Sequence, residues 1–190
     1  SFSPTTPCNV WVSVPNTRSP IVFGTETQTL QGVVGEKLRT LGLTLSTAES
    51  CTGGYISHLI TSEAGASDFF AGSAVTYSNA MKMALLGVNP ATLNNFGAVS
   101  EETVREMAVG AVKHLGSNLA IAVSGIAGPG GGTPEKPVGT VWIAVSNGTS
   151  TTAHKFIFGR DRAKNIQMAG IYALNMLNKF LDELTHSVAR

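Results

Sequence analysis

The stretch Leu119-Ala120-Ile121-Ala122-Val123-Ser124 constrains the fold more than any other part of the chain. It carries no charge, it is too short for a buried helix, and it lacks the apolar–polar alternation of a strand with one wet face. Such a run is the signature of a central strand covered on both sides. A strand of that kind needs a layer above and a layer below, so the class is α/β with helices on both faces of a sheet.

The flanking segments supply those layers. Leu30, Val33, Val34, Leu38 and Leu41 recur at helical spacing, and Gly42 ends the run. An apolar and β-branched segment from Leu43 leads into Ala48, a helix is expected over about 54–62, and 69–77 reads as a second strand. Ser78 or Asn79 is placed to cap a short helix that stops at Gly87, and Pro90 opens a further helical turn. Ser100 has the marks of an N-cap, with Glu101 and Glu102 in the first turn and an apolar face through Val104, Met107, Ala111 and Leu115. Asn147-Gly148 joins the strand-like runs 138–146 and 151–158 as a hairpin, and a last helix begins near Asp161. The expected order, α-β-α-β-α-α-β-β-β-α, describes a three-layer α/β/α sandwich with a mixed, largely parallel sheet. Residues 28–190 are expected to form this domain. Residues 1–27 read as an extension or linker in which 10–12 and 21–23 suit short edge strands.

Charged residues make up 13% of the chain, against about 25% in typical domains. A covered subunit interface would account for the shortfall, so a homo-oligomer, a dimer or larger, is expected. A net charge of +1 provides no electrostatic footprint for nucleic acid or a membrane surface. Two cysteines, Cys8 and Cys51, suit neither a disulfide scaffold nor a zinc site, and no metal or other cofactor is called for. No apolar run approaches the roughly 18 residues of a membrane span, and a basic-then-apolar leader is not expected. A cytoplasmic protein is expected, the Ser/Thr-rich start being a faint hint of organelle targeting.

Ligands in open α/β sheets sit beyond the carboxyl ends of strands. The turns after Ala48, Tyr77 and Ser124 are such ends if their strands run parallel. The first of them, Glu49-Ser50-Cys51-Thr52-Gly53-Gly54, places hydroxyls and a thiol at a strand-to-helix turn where backbone amides lack partners. Ser50 reads there either as a helix cap or as a nucleophile. Cys51 is a rival nucleophile only if a partner makes it a thiolate, and no histidine falls at a strand end; a small buried residue is the other reading. Lys82, one turn into the helix after Tyr77, is a base if burial lowers its pKa, or a solvated surface lysine otherwise. The glycine run 125–132 lacks both the P-loop ending and the dinucleotide fingerprint. Arg160, Arg162 and Lys164 cluster at the start of the last helix, where a phosphate would meet cations and helix amides, or where a solvated basic patch would simply face water.

Thr47-Ala-Glu-Ser-Cys-Thr-Gly-Gly-Tyr55, Val75-Thr-Tyr-Ser-Asn79 with Lys82, Gly97-Ala-Val-Ser100, Ser124-Gly-Ile-Ala-Gly-Pro129 and Lys136-Pro-Val-Gly-Thr-Val141 occur in that order. From about residue 28 onward the chain therefore resembles the C-terminal domain family of CinA, the competence/damage-inducible protein A. That resemblance implies a nicotinamide-nucleotide amidase that converts nicotinamide mononucleotide to nicotinate mononucleotide and ammonia, without a metal. It implies Ser50 as nucleophile, Lys82 as base and Tyr77 as a group that relays or orients the proton. Glu49, Cys51, Thr52, Gly53, Asn79, Ser124, Gly125 and Gly128 would line the substrate site, and Arg162 would hold the phosphate. The partner implied is a small pyridine nucleotide; a nucleotide-sensing or protein-interaction module that keeps the fold without turnover is the alternative.

Overall fold

The computed structural model describes the backbone of residues 9–12, 21–25 and 28–188, with side chains over 28–186. Strands β1 (Asn9–Val12) and β2 (Ile21–Thr25) pair antiparallel as a separate two-stranded sheet. The short edge strands expected there thus form at the expected places but pair with each other and not with the main sheet.

The main body follows as α1 (Leu30–Leu41), β3 (Leu45–Glu49), α2 (Tyr55–Thr61), a 3-10 turn (Ala66–Asp68), β4 (Phe70–Val75), α3 (Asn79–Leu86), α4 (Pro90–Phe96), α5 (Glu101–Leu115), β5 (Leu119–Gly125), β6 (Thr140–Ser146), β7 (Thr151–Ile157) and α6 (Arg162–Val188). Local chemistry sets most boundaries. Ser78 and Ser100 accept from the amides of Met81 and Thr103 as N-caps of α3 and α5, and Gly42 and Gly87 end α1 and α3 in the left-handed region that glycine adopts without strain. Pro90 opens two helical turns where one was expected.

The five-stranded sheet has the order β4-β3-β5-β6-β7. β3, β4 and β5 are mutually parallel, β6 alone is reversed, and β7 returns to the common direction. The expected mixed, largely parallel α/β/α sandwich is therefore the architecture found. Side-chain size divides its two faces. Leu119, Ile121 and Val123 of β5 and Val141, Ile143 and Val145 of β6 meet α1, α2 and α6. Ala120, Ala122 and Ala144 point the other way, with Ala48 and Ala74, and meet α3, α4 and α5. Small residues on that side let helices approach closely: a Cβ at Gly110 of α5 would stand 1.9 Å from the carbonyl oxygen of Leu86 at the end of α3. Among the described residues no helix is long and apolar enough to cross a membrane.

Candidate active site

Parallel register brings three strand ends to one line. Glu49 of β3 lies opposite Val75 of β4 on one side and Val123 of β5 on the other. The residues that follow, Ser50, Thr76 and Ser124, therefore emerge at the same edge of the sheet. β6 starts and β7 ends at this edge too, which delivers the first turn of α6 and its Arg162 to the same place.

The β3–α2 turn is organised by Glu49. Its side chain is fully buried, and both carboxylate oxygens are occupied. Oε2 accepts from Thr52 Oγ1 (2.7 Å), Gly54 N (3.0 Å) and Ile56 N (3.1 Å). Oε1 accepts from Ser57 N (2.8 Å), Ser57 Oγ (2.6 Å) and Thr47 Oγ1 (3.4 Å). The amides that open α2 are thus satisfied by a strand carboxylate, while the N-cap position itself is Gly54 at φ 99°. Ser50 does not cap the helix. Its amide donates to Val123 O (3.0 Å), prolonging the β3–β5 ladder by one residue. The cap reading fails because a longer side chain, one residue earlier, reaches the same donors first.

Freed from capping, Ser50 faces α3. Lys82 Nζ stands 3.0 Å from Ser50 Oγ and donates to Thr76 O at 2.8 Å. Thr76 N in turn donates to Glu49 O at 2.7 Å, closing a circuit through the serine turn and the end of β4. Lys82 is 1% exposed, so the solvated-lysine reading does not hold. Among the described residues no carboxylate pairs with it. Burial pushes its ammonium below the ordinary lysine value. Cys51 goes the opposite way: burial pushes the thiol up to about 12, and it packs as a small core residue.

A cleft of about 290 Å³ opens over this pair. Cys51, Tyr77, Asn79, Ser124, Gly125, Gly128 and Arg162 line it with Ser50 and Lys82, so nine of the twelve residues singled out in the sequence converge there. Glu49, Thr52 and Gly53 do not; they build the turn behind it. Ser124 is buried and donates to Ala98 O at 2.7 Å. Tyr77, exposed at the mouth, accepts from Arg162 Nη2 at 3.0 Å and contacts neither Ser50 nor Lys82 through a hydrogen bond. The other end of the guanidinium, Nη1, donates to Gly128 O at 2.8 Å. Arg162 has only these neutral acceptors among the described residues, which leaves its charge uncompensated beside the cleft. Of the turn amides, those of Ser50 and Gly53 donate to Val123 O and Ser50 O. No group of three or more His, Cys, Asp and Glu side chains is placed to hold a metal, again among the described residues.

Sequence reasoning gave no role to Thr76, whose carbonyl fixes the lysine, or to Ala98 and Val99, which shape the cleft wall. The 97–100 motif pointed at the second of these regions. Thr76 lies inside the 75–79 motif, but side-chain chemistry gave it no role because its contribution is a backbone oxygen.

A family model described as the CinA C-terminal domain matches residues 27–181. A CinA-like protein of Cytophaga hutchinsonii is 45% identical over 163 residues, covering 86% of this chain and 39% of that protein. One of Microcystis aeruginosa is 46% identical over 162 residues, with 84% and 39% covered. The chain thus spans about two-fifths of the length of these curated relatives. Among solved structures, the competence/damage inducible protein CihA of Agrobacterium tumefaciens superposes with a TM-score of 0.76 at 40% identity, covering 82% of this chain and 97% of that one. A CinA superfamily protein of Escherichia coli gives 0.77 at 31% identity, covering 84% and 95%.

Proposed function

We propose that this chain, which belongs to the CinA C-terminal domain family, is an amidohydrolase that converts the carboxamide of nicotinamide mononucleotide to the carboxylate and ammonia. One observation carries the reading: a buried lysine amine, held below its ordinary pKa and, among the described residues, unpaired with any carboxylate, stands 3.0 Å from a serine hydroxyl. A neutral amine at that distance can take the hydroxyl proton as Oγ attacks.

Ser50 Oγ forms a bond to the amide carbon while its proton passes to Lys82 Nζ, and the carbonyl oxygen becomes an oxyanion facing the amides of Cys51 and Thr52. As the C–N bond breaks, the lysine returns the proton to the departing nitrogen and ammonia leaves. Water then attacks the acyl-enzyme, giving a proton to Lys82, and collapse releases the carboxylate and restores the Ser50 hydroxyl. Thr76 O holds the amine in line through both halves. The uncompensated guanidinium of Arg162 meets the substrate phosphate at the far side of the cleft.

Ammonia release from nicotinamide mononucleotide, measured against the nucleoside and free nicotinamide, tests reaction and substrate together. Ser50→Ala is expected to abolish it in a folded protein. Undiminished release by that variant would overturn the serine mechanism, and a ligand-dependent rise in melting temperature with no product from the parent would favour a binding module.

A further inference from the structure

Glu49 is an unusual carboxylate: fully buried, adjacent to the nucleophile, outside the cleft, and without a cation among the described residues. Its charge is met by amides and hydroxyls alone. Those donors come from both ends of the turn that carries Ser50, from Thr52 and Gly54 within it to Ile56 and Ser57 beyond it. The backbone of Glu49 completes the frame, since its carbonyl accepts from Thr76 N and Thr76 O accepts from Lys82. One residue therefore anchors the serine through its side chain and the lysine through its main chain.

We infer that Glu49 is the positioning residue of the Ser50–Lys82 pair: its carboxylate locks the 50–57 segment so that Ser50 Oγ stays within proton-transfer distance of Lys82 Nζ. This rests on the serine–lysine reading of the site, though not on the identity of the substrate. Carboxylate chemistry is needed because all the donors converge on two oxygens. An amide presents one acceptor and one N–H₂ group, and the latter would point at N–H donors of α2. Glutamine is nearly the size of glutamate, so Glu49→Gln removes the lock without removing the volume. A displacement of the order of 1 Å at a reacting atom lowers rates by about 100-fold.

A fluorophosphonate probe tests the inference independently of substrate. Ser50 Oγ forms a bond to phosphorus, fluoride leaves, and the serine proton passes to Lys82. The full chain is labelled, the site of modification is confirmed by mass spectrometry, and the labelling rate is compared with that of Glu49→Gln, with the folded fraction measured by circular dichroism. The expected result is a drop of about 100-fold in labelling rate per folded molecule, with a matching fall in kcat and little change in KM for any substrate turned over. Glu49→Asp, which retains two oxygens on a shorter arm, is expected to fall between. Labelling of folded Glu49→Gln at the parent rate overturns the inference, because a merely structural role lowers the folded fraction and leaves the rate per folded molecule alone. Should Glu49→Gln not fold, Ser57→Ala, which deletes one of the donors, decides: a several-fold slower rate supports the lock and an unchanged rate overturns it. Parent protein that is labelled at Ser50 yet releases no ammonia from nicotinamide mononucleotide refutes the proposed substrate while the variant comparison stands.

Discussion

Two ionisable side chains are buried on either side of the serine turn, and they are treated in opposite ways. Glu49, at the end of β3, has six donors within 3.4 Å. Lys82, on α3, has two neutral acceptors, Ser50 Oγ and Thr76 O. Saturation holds the carboxylate in place. Starvation makes the ammonium charge easy to discard, which is the property a base needs. The lesson is that burial alone does not define a reactive group; what decides is how completely the neighbours replace the water.

Replacing each group should break the comparison in different currencies. Lys82→Met is expected to lower kcat/KM by roughly 10⁴-fold, as loss of a dyad member does in other covalent hydrolases, while melting within a few degrees of the parent, because the lost Thr76 contact offsets the relieved desolvation. A large fall in melting temperature with activity retained would reverse the assignment. Glu49→Leu should lose at least about 3 kcal/mol in denaturant titration, since several buried donors are left unmet; a stability equal to the parent would show that the turn does not depend on its carboxylate.

Acidity sharpens the contrast. Burial lowers the folded-state pKa of Lys82 below the ordinary 10.5, so between those two values the unfolded chain binds more protons and stability climbs as pH rises. Lys82→Met lacks that climb, and the parent should gain on it in melting temperature as pH rises toward 10.5. In the same direction, kcat/KM should increase through the lowered pKa, because only the neutral amine accepts the serine proton. A profile flat from about pH 6 to 9 counts against a lysine base. The smallest effect belongs to Cys51, whose thiol stays protonated. Cys51→Ala should keep activity within a few-fold, and a loss of 100-fold or more (about 2.7 kcal/mol) would transfer the nucleophile to sulfur.

The layers were legible because single strands and helices announce themselves locally. The unbroken run in β5 placed the centre of the sheet, and Ser78, Ser100, Gly42 and Gly87 marked ends that the backbone then obeyed. The convergence of Ser50, Lys82 and Ser124 was legible only in company, from several motifs in order. Two expectations, the cap alternative for Ser50 and a cleft-lining place for Glu49, differ from the structure for the same physical reason. Ser50 sits where caps sit, and Glu49 sits in a motif that faces a substrate site, yet the longer side chain reaches back along α2 and takes the capping role. Tyr77 was expected beside the reacting proton and instead holds Arg162, a pairing across 85 positions that no local pattern encodes. The size difference between the two sheet faces was present in the Leu-Ala-Ile-Ala-Val alternation but becomes readable only once it is known which helices lie on which side.

The contact between Gly110 and Leu86 turns that alternation into a gauge. Two backbones touch there with no side chain between them, and the helix so fixed is the one that presents Lys82. A compressible interface of leucines would let α3 drift by a rotamer; a hydrogen atom against a carbonyl oxygen does not. The separation of the two reacting atoms is thus calibrated partly by what position 110 lacks, and the dimension is inherited from covalent geometry one helical turn along α3 from the chemistry.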